Sequence, residues 1–230
     1  MPGGNTRSVL HYAPYPLTFA KGEGAYLYDA DGHKLVDFLG EYTAGIYGHN
    51  NPIIQGAIET AVRDGIVLGG PNLMEARLAR VIVDRFPALE LVRFTNSGTE
   101  ANLMAIGAAR AFTGRPNVAK FEGAYHGIDD PAMISYVPPL GNELGPKNRP
   151  HSVLSSRGLA PGTAESVLVL PCNNIPVCKP LLRENADQLA ALIIDPLSTA
   201  AGLTLPQPEF LRALRAVSYT HLTLPTNREV

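Results

Sequence analysis

Two hydroxyl side chains flank a glycine at Ser97-Gly98-Thr99, where an apolar segment meets a run of helix-forming residues. Gly98 has no Cβ, so the backbone there can approach a ligand closely. The free N–H groups and the positive dipole end of a helix start attract an anion, by about 0.3–1 kcal/mol and up to about 2 kcal/mol when partly buried. A phosphate group fits this chemistry. The alternative is an ordinary helix cap, made by Ser97 or Thr99 with help from Glu100.

An aromatic ring and an imidazole stand side by side at Tyr125-His126, a few residues after the predicted strand Val118–Phe121. In open α/β sheets, the loops that follow parallel strands form the ligand-binding edge. The Tyr125 ring could stack on a flat aromatic cofactor, for about 0.5–1.5 kcal/mol beyond the buried area, and His126 could exchange a proton near neutral pH. Alternatively, both side chains only pack within a loop. Since Ser97-Gly98-Thr99 also follows a predicted strand, the pattern favours one shared site.

The elements that would position these residues alternate between short apolar strands and helices. One helix covers Ala101–Phe112 and closes at Gly114, and another helical stretch lies around Pro180–Asn185. Such alternation predicts an α/β fold, with a parallel sheet covered by helices on both faces. The many Pro, Gly, Ser and Asn residues of Gly127–Pro161 predict a long surface loop. The strands are predicted at Leu91–Thr95, Val118–Phe121, Ser166–Leu170 and Leu189–Ile194.

A hairpin and two helices are predicted before this sheet. The strands Ala25–Tyr28 and Lys34–Phe38 flank an Asp-Gly pair that suits a tight turn. Asn51 caps a helix that ends at Gly65. The second helix is predicted from apolar residues at helical spacing, Met74, Leu78, Val81 and Ile82.

The composition argues against several classes of protein. The chain has 230 residues and a net charge of −2, which leaves no basic footprint for nucleic acid or an anionic membrane. No apolar run approaches the roughly 20 residues that span a bilayer, and no secretory leader is expected. The two cysteines, Cys172 and Cys178, lack the spacing of a zinc site or a disulfide framework. A cytoplasmic protein without a metal is therefore expected.

The segments that could do chemistry resemble those of a known family. Phe94–Ala101 and Phe121–Gly127 are similar to the two cofactor segments of class III aminotransferases and glutamate-1-semialdehyde aminomutases. Within that family, Met1–Leu10 and Glu41–Gly45 most resemble β-amino-acid aminotransferases of the β-phenylalanine type. The likeness runs from Pro2 to Ala216 and includes Gly22–Tyr28, Asp31–Phe38, Gly48–Pro52, Leu192–Pro196 and Pro206–Leu214.

This resemblance implies an enzyme of the pyridoxal-phosphate (PLP) transferase fold, type I. The residues of the first segment, Ser97, Gly98 and Thr99, would hold the phosphate of PLP. Tyr125 would stack on the pyridine ring, and His126 would lie beside it. The reaction implied is transfer of an amino group between an amino acid, such as a β-amino acid, and a keto acid, in a homodimer.

Three further residues acquire roles from the same resemblance. Asp195 stands near the ring, where the family usually has Glu before Pro, and its side chain is shorter by a methylene. Arg7 would pair with the substrate carboxylate through its planar, bidentate guanidinium group, and Tyr42 would line the substrate pocket. The alternatives are a glutamate-1-semialdehyde 2,1-aminomutase and a non-catalytic protein that binds PLP or another phosphate ligand. A nucleotide-binding domain has the least support, because no glycine-rich nucleotide loop follows a strand.

The resemblance also implies an N-terminal fragment with a truncated sheet. In the family, the lysine that holds PLP and the carboxylate on the pyridine nitrogen follow the helix that corresponds to Pro208–Ala216. None of the five lysines lies in the family's Gly-Lys turn, and Lys120 is interpreted as structural. An inactive chain is therefore expected. Its predicted parts are an N-terminal segment with a hairpin (residues 1–45), a partial PLP-binding domain (46–216) and a non-native tail (217–230).

Overall fold

The structure is a computed structural model that describes residues 2–6, 11–137 and 141–221. The chain divides into two compact units, Met1–Leu91 and Val92–Val230. The boundaries predicted after residues 45 and 216 do not coincide with this division and stay predictions. None of the described helices is long and apolar enough to cross a bilayer.

The first unit contains an antiparallel sheet of three strands in chain order, β1 (Phe19–Glu23), β2 (Tyr26–Asp29) and β3 (Lys34–Val36). The predicted hairpin is confirmed as β2 and β3. The Asp29 carboxylate fixes its turn by accepting hydrogen bonds from the backbone N–H groups of Asp31 at 3.0 Å and His33 at 2.8 Å. The sequence does not predict β1, because that segment has a glycine near its middle and no alternation of apolar and polar residues.

Two helices complete the described elements of the first unit, α1 (Pro52–Asp64) and α2 (Leu73–Arg85). As predicted, the Asn51 side chain caps α1 by accepting from the backbone N–H of Ile53 at 3.0 Å. Gly65 ends the helix with a φ of 98°, a conformation that favours glycine. No side chain of either helix is buried, so their apolar faces are exposed.

The second unit contains a parallel sheet of β4 (Asn117–Phe121), β5 (Val167–Leu170) and β6 (Leu189–Leu192). The strand order is β5-β4-β6, with Ala119 opposite Leu168 on one side and Leu192 on the other. Because all three strands run the same way, their carboxyl ends meet at one edge, which is where open α/β sheets bind ligands. Within the described chain, no further strand pairs with the outer side of β6.

Helices cover both faces of this sheet, as predicted. The helix α3 (Gly98–Thr113) lies on one face, and α4 (Ile175–Glu184) and α5 (Pro208–His221) lie on the other. On the latter face, Phe121 packs with Leu182 and with Phe210, whose ring stands edge-on at a centroid distance of 5.5 Å. Burying each such side chain contributes about 1.5–3 kcal/mol, which fixes the helices to the sheet.

The segment Leu91–Thr95 is not a strand, and the prediction from its apolar run is wrong. A strand needs a hydrogen-bonded neighbour. No described strand pairs with Leu91–Thr95, so this segment stays irregular up to the cap of α3. The apolar run indicates strand propensity, but it does not show whether a partner strand is available, and Leu91 is 91% exposed.

The prediction that all of Gly127–Pro161 lies on the surface is also wrong in part. Ile134 and Ser135 have no exposed area, and Ala132 is 3% exposed. The reason is the Lys120 amine on β4, which donates hydrogen bonds to the carbonyls of Ala132 and Ile134 at 2.6 Å each. These bonds hold the segment against the sheet.

The last described helix, α5, continues past Ala216 to His221. Val217 is 4% exposed and packs in the same core as Phe210 and Leu214. The helix therefore takes in the first residues of the predicted non-native tail, and the origin of residues 217–230 stays a prediction. Residues 222–230 lie outside the described part of the chain.

Candidate active site at the carboxyl edge

Two loops named from the sequence meet at the carboxyl edge of the parallel sheet. We call Ser97–Thr99 the cradle turn and Glu122–Ile128 the Tyr125 loop. The Thr99 hydroxyl accepts a hydrogen bond from the backbone N–H of Ile128 at 3.3 Å. A Cβ placed on Gly127, whose φ is 103°, would lie 2.6 Å from the Thr99 hydroxyl oxygen and 2.8 Å from its Cα. The two loops are therefore in van der Waals contact.

The cradle turn is a helix cap that keeps donors available. Ser97 Oγ accepts from the backbone N–H of Glu100 at 3.2 Å, and the Glu100 carboxylate accepts from the backbone N–H of Asn96 at 2.6 Å. The cap uses the third N–H of the helix, and within the described chain the N–H groups of Gly98 and Thr99 have no acceptor. Capping and anion binding are thus compatible, because the first N–H groups of a helix have no partner within the helix.

The Tyr125 loop is fixed to its neighbours on both sides. The backbone N–H of Glu122 donates to Leu170 O at 3.0 Å, and that of Gly123 donates to Ser135 O at 2.8 Å. The Tyr125 ring is 44% exposed and lies 4.9 Å from the Tyr136 ring, tilted by 54°. A ring that has a packed neighbour but remains accessible can cover a flat ligand with little loss of conformational freedom.

His126 is a buried imidazole with an unused nitrogen. It is 7% exposed, and its Nε2 has no hydrogen-bond partner among the described residues. Burial, with a further contribution from the Lys120 amine, lowers the pKa of His126 to about 4, while the Asp195 carboxylate acts in the opposite direction. The ring is therefore neutral near pH 7. A buried polar atom without a hydrogen-bond partner lowers the stability of the fold by about 1–3 kcal/mol. A bound ligand can supply the missing partner.

Protonation of His126 is expected to destabilise the fold in mild acid. Its pKa near 4 lies below the free value of 6.5, so between pH 6.5 and pH 4 the unfolded chain binds a proton that the folded chain does not. Stability therefore falls as pH falls through this window, by about 3 kcal/mol in total. Urea unfolding at several pH values between 4 and 7 measures how the free energy of unfolding changes with pH. The part of this change that comes from His126 should be absent in His126→Gln. Equal slopes in the two proteins would contradict the lowered pKa.

The remaining predicted site residues have different positions. Asp195 follows β6 at the same edge and is half-buried, and its Oδ1 accepts from the backbone N–H of Leu197 at 2.9 Å. Tyr42 belongs to the first unit, where it is 49% exposed and has a φ of 53°. Arg7 lies outside the described residues. The ligand-binding roles of all these residues stay predictions.

Two residues in contact with the Tyr125 loop or its support were not assigned to the site from the sequence. The Asn102 amide donates to the carbonyl of His126 at 2.8 Å. The sequence feature that could have assigned Asn102 to the site is its place as a polar residue in an apolar helix, three positions after Thr99. Lys120 is 1% exposed, and burial lowers its pKa to about 8. Both of its described hydrogen bonds go to backbone carbonyls, in keeping with a structural role.

Two further buried oxygens lack partners near the same strand ends. Glu122 Oε1 and Ser198 Oγ have no hydrogen-bond partner among the described residues. Burial also raises the pKa of the Glu122 carboxyl group. Glu122 follows β4 and Ser198 follows β6, so unsatisfied polar atoms collect where the parallel strands end.

Together, the fold and this edge define an α/β protein in which a helix start with unused N–H groups lies in contact with the loop that carries the accessible Tyr125 ring. The family model for class III aminotransferases matches residues 9–224, so the chain belongs to the class III aminotransferase family. Members of this family are PLP-dependent enzymes. The predicted family and fold are thereby confirmed.

Individual relatives agree with this membership. The chain is 47% identical over 216 residues to a β-phenylalanine transaminase of Variovorax paradoxus, covering 94% of this chain and 44% of that protein. It is 35% identical over 206 residues to a glutamate-1-semialdehyde 2,1-aminomutase of Symbiobacterium thermophilum, covering 90% and 46%. An ω-transaminase from Sphaerobacter thermophilus superposes with a TM-score of 0.91 at 42% identity, covering 96% and 50%. The chain thus spans about half the length of the relatives it matches.

Proposed function

We propose that this chain forms the phosphate-binding and ring-binding half of a PLP site, in a protein that transfers an amino group between an amino acid and a keto acid. The contact between the cradle turn and the Tyr125 loop carries the proposal, because a coenzyme with a phosphate and a pyridine ring must touch both. When bound, PLP supplies the electron sink that this chemistry needs. The greater identity to the β-phenylalanine transaminase than to the aminomutase supports a β-amino acid as donor.

The residues fit the phosphate of PLP by three features. The N–H groups of Gly98 and Thr99 are available as donors. A Cβ placed on Gly98 would meet nothing within 4 Å, so open space lies beside the turn. The positive end of the α3 dipole adds about 0.3–2 kcal/mol for an anion.

The Tyr125 loop would bind and orient the ring. Tyr125 offers an accessible aromatic face, and neutral His126 offers a buried nitrogen that needs a partner. Because His126 is uncharged near pH 7, it can form a hydrogen bond beside the ring without adding a buried charge. Asp195 would contribute a carboxylate from the neighbouring strand end.

We propose that the 230 residues alone bind PLP without turning over substrate. Of the five lysines, only Lys120 interacts electrostatically with His126, and both of its described hydrogen bonds are to backbone carbonyls. A lysine held in this way is not available to join the coenzyme covalently or to move a proton on the substrate. Borohydride reduction followed by mass spectrometry tests this, since only a lysine joined to PLP would keep the added mass.

The second candidate function is the aminomutase reaction, which moves an amino group within glutamate-1-semialdehyde. The 35% identity to a protein of that name favours it. Assaying a protein that contains this chain together with the rest of the family's length separates the two. Activity with a β-amino acid plus 2-oxoglutarate supports the transaminase, and activity with the semialdehyde alone supports the aminomutase.

The proposed assembly is a homodimer, supported by the exposed apolar side of α1. Ile54, Ile58 and Val62 are 43%, 57% and 61% exposed on this helix. An apolar side of this kind is typical of a surface that a protein partner or further chain covers.

Gly98→Ala is expected to separate ligand binding from stability. The new methyl group meets no atom within 4 Å, so the free energy of unfolding should stay the same or rise by up to about 1 kcal/mol, because alanine favours the helix. The same methyl group would intrude on the space for a phosphate, so PLP affinity should fall about tenfold. Equilibrium dialysis with PLP and urea unfolding measure the two effects.

Gly107→Ala is the matched control, because Gly107 lies further along α3 and also has no atom within 4 Å of the added methyl group. It should leave PLP affinity unchanged. If Gly98→Ala binds PLP as tightly as the wild type, the cradle turn does not hold the phosphate and the proposal fails.

A further inference from the structure

Asn102 makes a long-range contact that joins α3 to the Tyr125 loop. Its amide nitrogen donates to the backbone carbonyl of His126 at 2.8 Å, in a half-buried setting. Asn102 lies three residues after Thr99 on α3, so the two side chains project from the same side of the helix. Thr99 accepts from the backbone N–H of Ile128 at 3.3 Å. Two neighbouring side chains of α3 thus bind the backbone on either side of Gly127.

These two bonds fix the distance between the cradle turn and the Tyr125 ring. The Gly127 backbone lies against Thr99 because glycine lacks a Cβ that would overlap it. Close contact alone would still let the loop slide or rotate along the helix. The directed bond from the Asn102 amide removes that freedom, since hydrogen bonds weaken steeply away from linear geometry.

We infer that Asn102 is a positioning residue that sets the spacing between the phosphate cradle and the ring-binding tyrosine. The inference rests on the proposed function and assigns Asn102 a role that acts through the backbone of His126. A ligand that must touch both loops depends on this spacing. A ligand that touches only the cradle turn does not.

The test compares two ligands on the 230-residue chain, PLP and inorganic phosphate. Asn102→Leu keeps the approximate size of the side chain but cannot donate to the carbonyl of His126, and it adds no charge beside the phosphate. PLP affinity should fall about tenfold, while phosphate affinity stays within about twofold of the wild type. Equilibrium dialysis measures the former and phosphorus NMR titration the latter. Asn102→Ala, which removes the donor with a smaller side chain, should likewise weaken PLP binding and spare phosphate binding if Asn102→Leu folds poorly.

Tyr125→Leu provides the reference pattern, because it removes the ring and leaves the cradle turn intact. It should likewise weaken PLP binding and spare phosphate binding. An equal change in both affinities for the Asn102 variants, or no change in either, overturns the positioning role while leaving the proposed function in place. Failure of the wild-type chain to bind PLP overturns both.

Discussion

Gly127→Ala is expected to destabilise the second unit by about 3 kcal/mol or more and to weaken PLP binding by about a hundredfold. An alanine at a φ of 103° is strained, and its methyl group would lie 2.6 Å from the Thr99 hydroxyl and 2.8 Å from the Thr99 Cα. The strain and the overlap each cost about 1–3 kcal/mol. A side-chain hydroxyl could rotate away, but the Cα belongs to the helix backbone and cannot. The Tyr125 loop must therefore move away from the cradle turn.

Urea unfolding and PLP dialysis measure these two losses. Gly107→Ala on α3 is again the control, because it adds the same methyl group where no atom lies within 4 Å. It should be neutral or stabilising by up to about 1 kcal/mol. A Gly127→Ala protein with wild-type stability and wild-type PLP affinity would contradict the close contact between the two loops.

Lys120→Met is expected to change the pH dependence of stability more than stability at neutral pH. Burial lowers the pKa of Lys120 from 10.5 to about 8. Between pH 8 and pH 10.5 the unfolded chain holds a proton that the folded chain has lost, so this group makes the wild type more stable as pH rises. The free energy of unfolding rises by about 3 kcal/mol in total over this range. Below pH 8 the folded protein is less stable by the same amount, because it keeps a charged amine buried.

Methionine does not titrate, and it leaves the carbonyls of Ala132 and Ile134 without their donor. Two orphaned carbonyls cost about 1–3 kcal/mol each. At pH 7 relief of the buried charge offsets much of that loss, whereas at pH 10 the wild type has already lost most of the charge. The stability difference between the two proteins should therefore widen by about 3 kcal/mol from pH 8 to pH 10.5.

Urea unfolding of both proteins at several pH values between 7 and 10.5 measures this difference. A difference that stays constant across this range would show that Lys120 does not titrate in it. Acid unfolding gives a second measure. The amine lowers the pKa of His126, so Lys120→Met should raise that pKa and reduce the loss of stability between pH 6.5 and pH 4.

Local signals in the sequence predicted the elements whose ends are set by their own residues. Asn51 and Gly65 delimit α1 because a cap and a left-handed stop act within one turn of the helix. Ser97 likewise begins α3, since its hydroxyl reaches an N–H three residues later. The strands β4, β5 and β6 were predicted because their apolar runs are short and lie between helices. The candidate site was recognised for the same reason, as two segments that each carry their own chemistry.

Features that depend on distant residues were not predicted. Leu91–Thr95 has the composition of a strand, but a strand also needs a partner, and no described strand pairs with this segment. Pro131–Ser135 has the composition of a surface loop, but the Lys120 amine binds it to the sheet. Neither outcome could be read from the segment itself.

The sequence by itself determined the type of fold, because capping and periodicity act over a few residues, and the resemblance of its motifs to known segments determined the family. The phosphate-binding and ring-binding roles of those motifs stay predictions. Only the tertiary structure decided that Thr99 and Asn102 contact the backbone of the Tyr125 loop. It also decided that His126 is buried with an unused nitrogen and interacts electrostatically with the buried Lys120. The reason is physical: such distances and pKa shifts depend on how α3 and residues 131–135 pack against the sheet, which no single segment encodes.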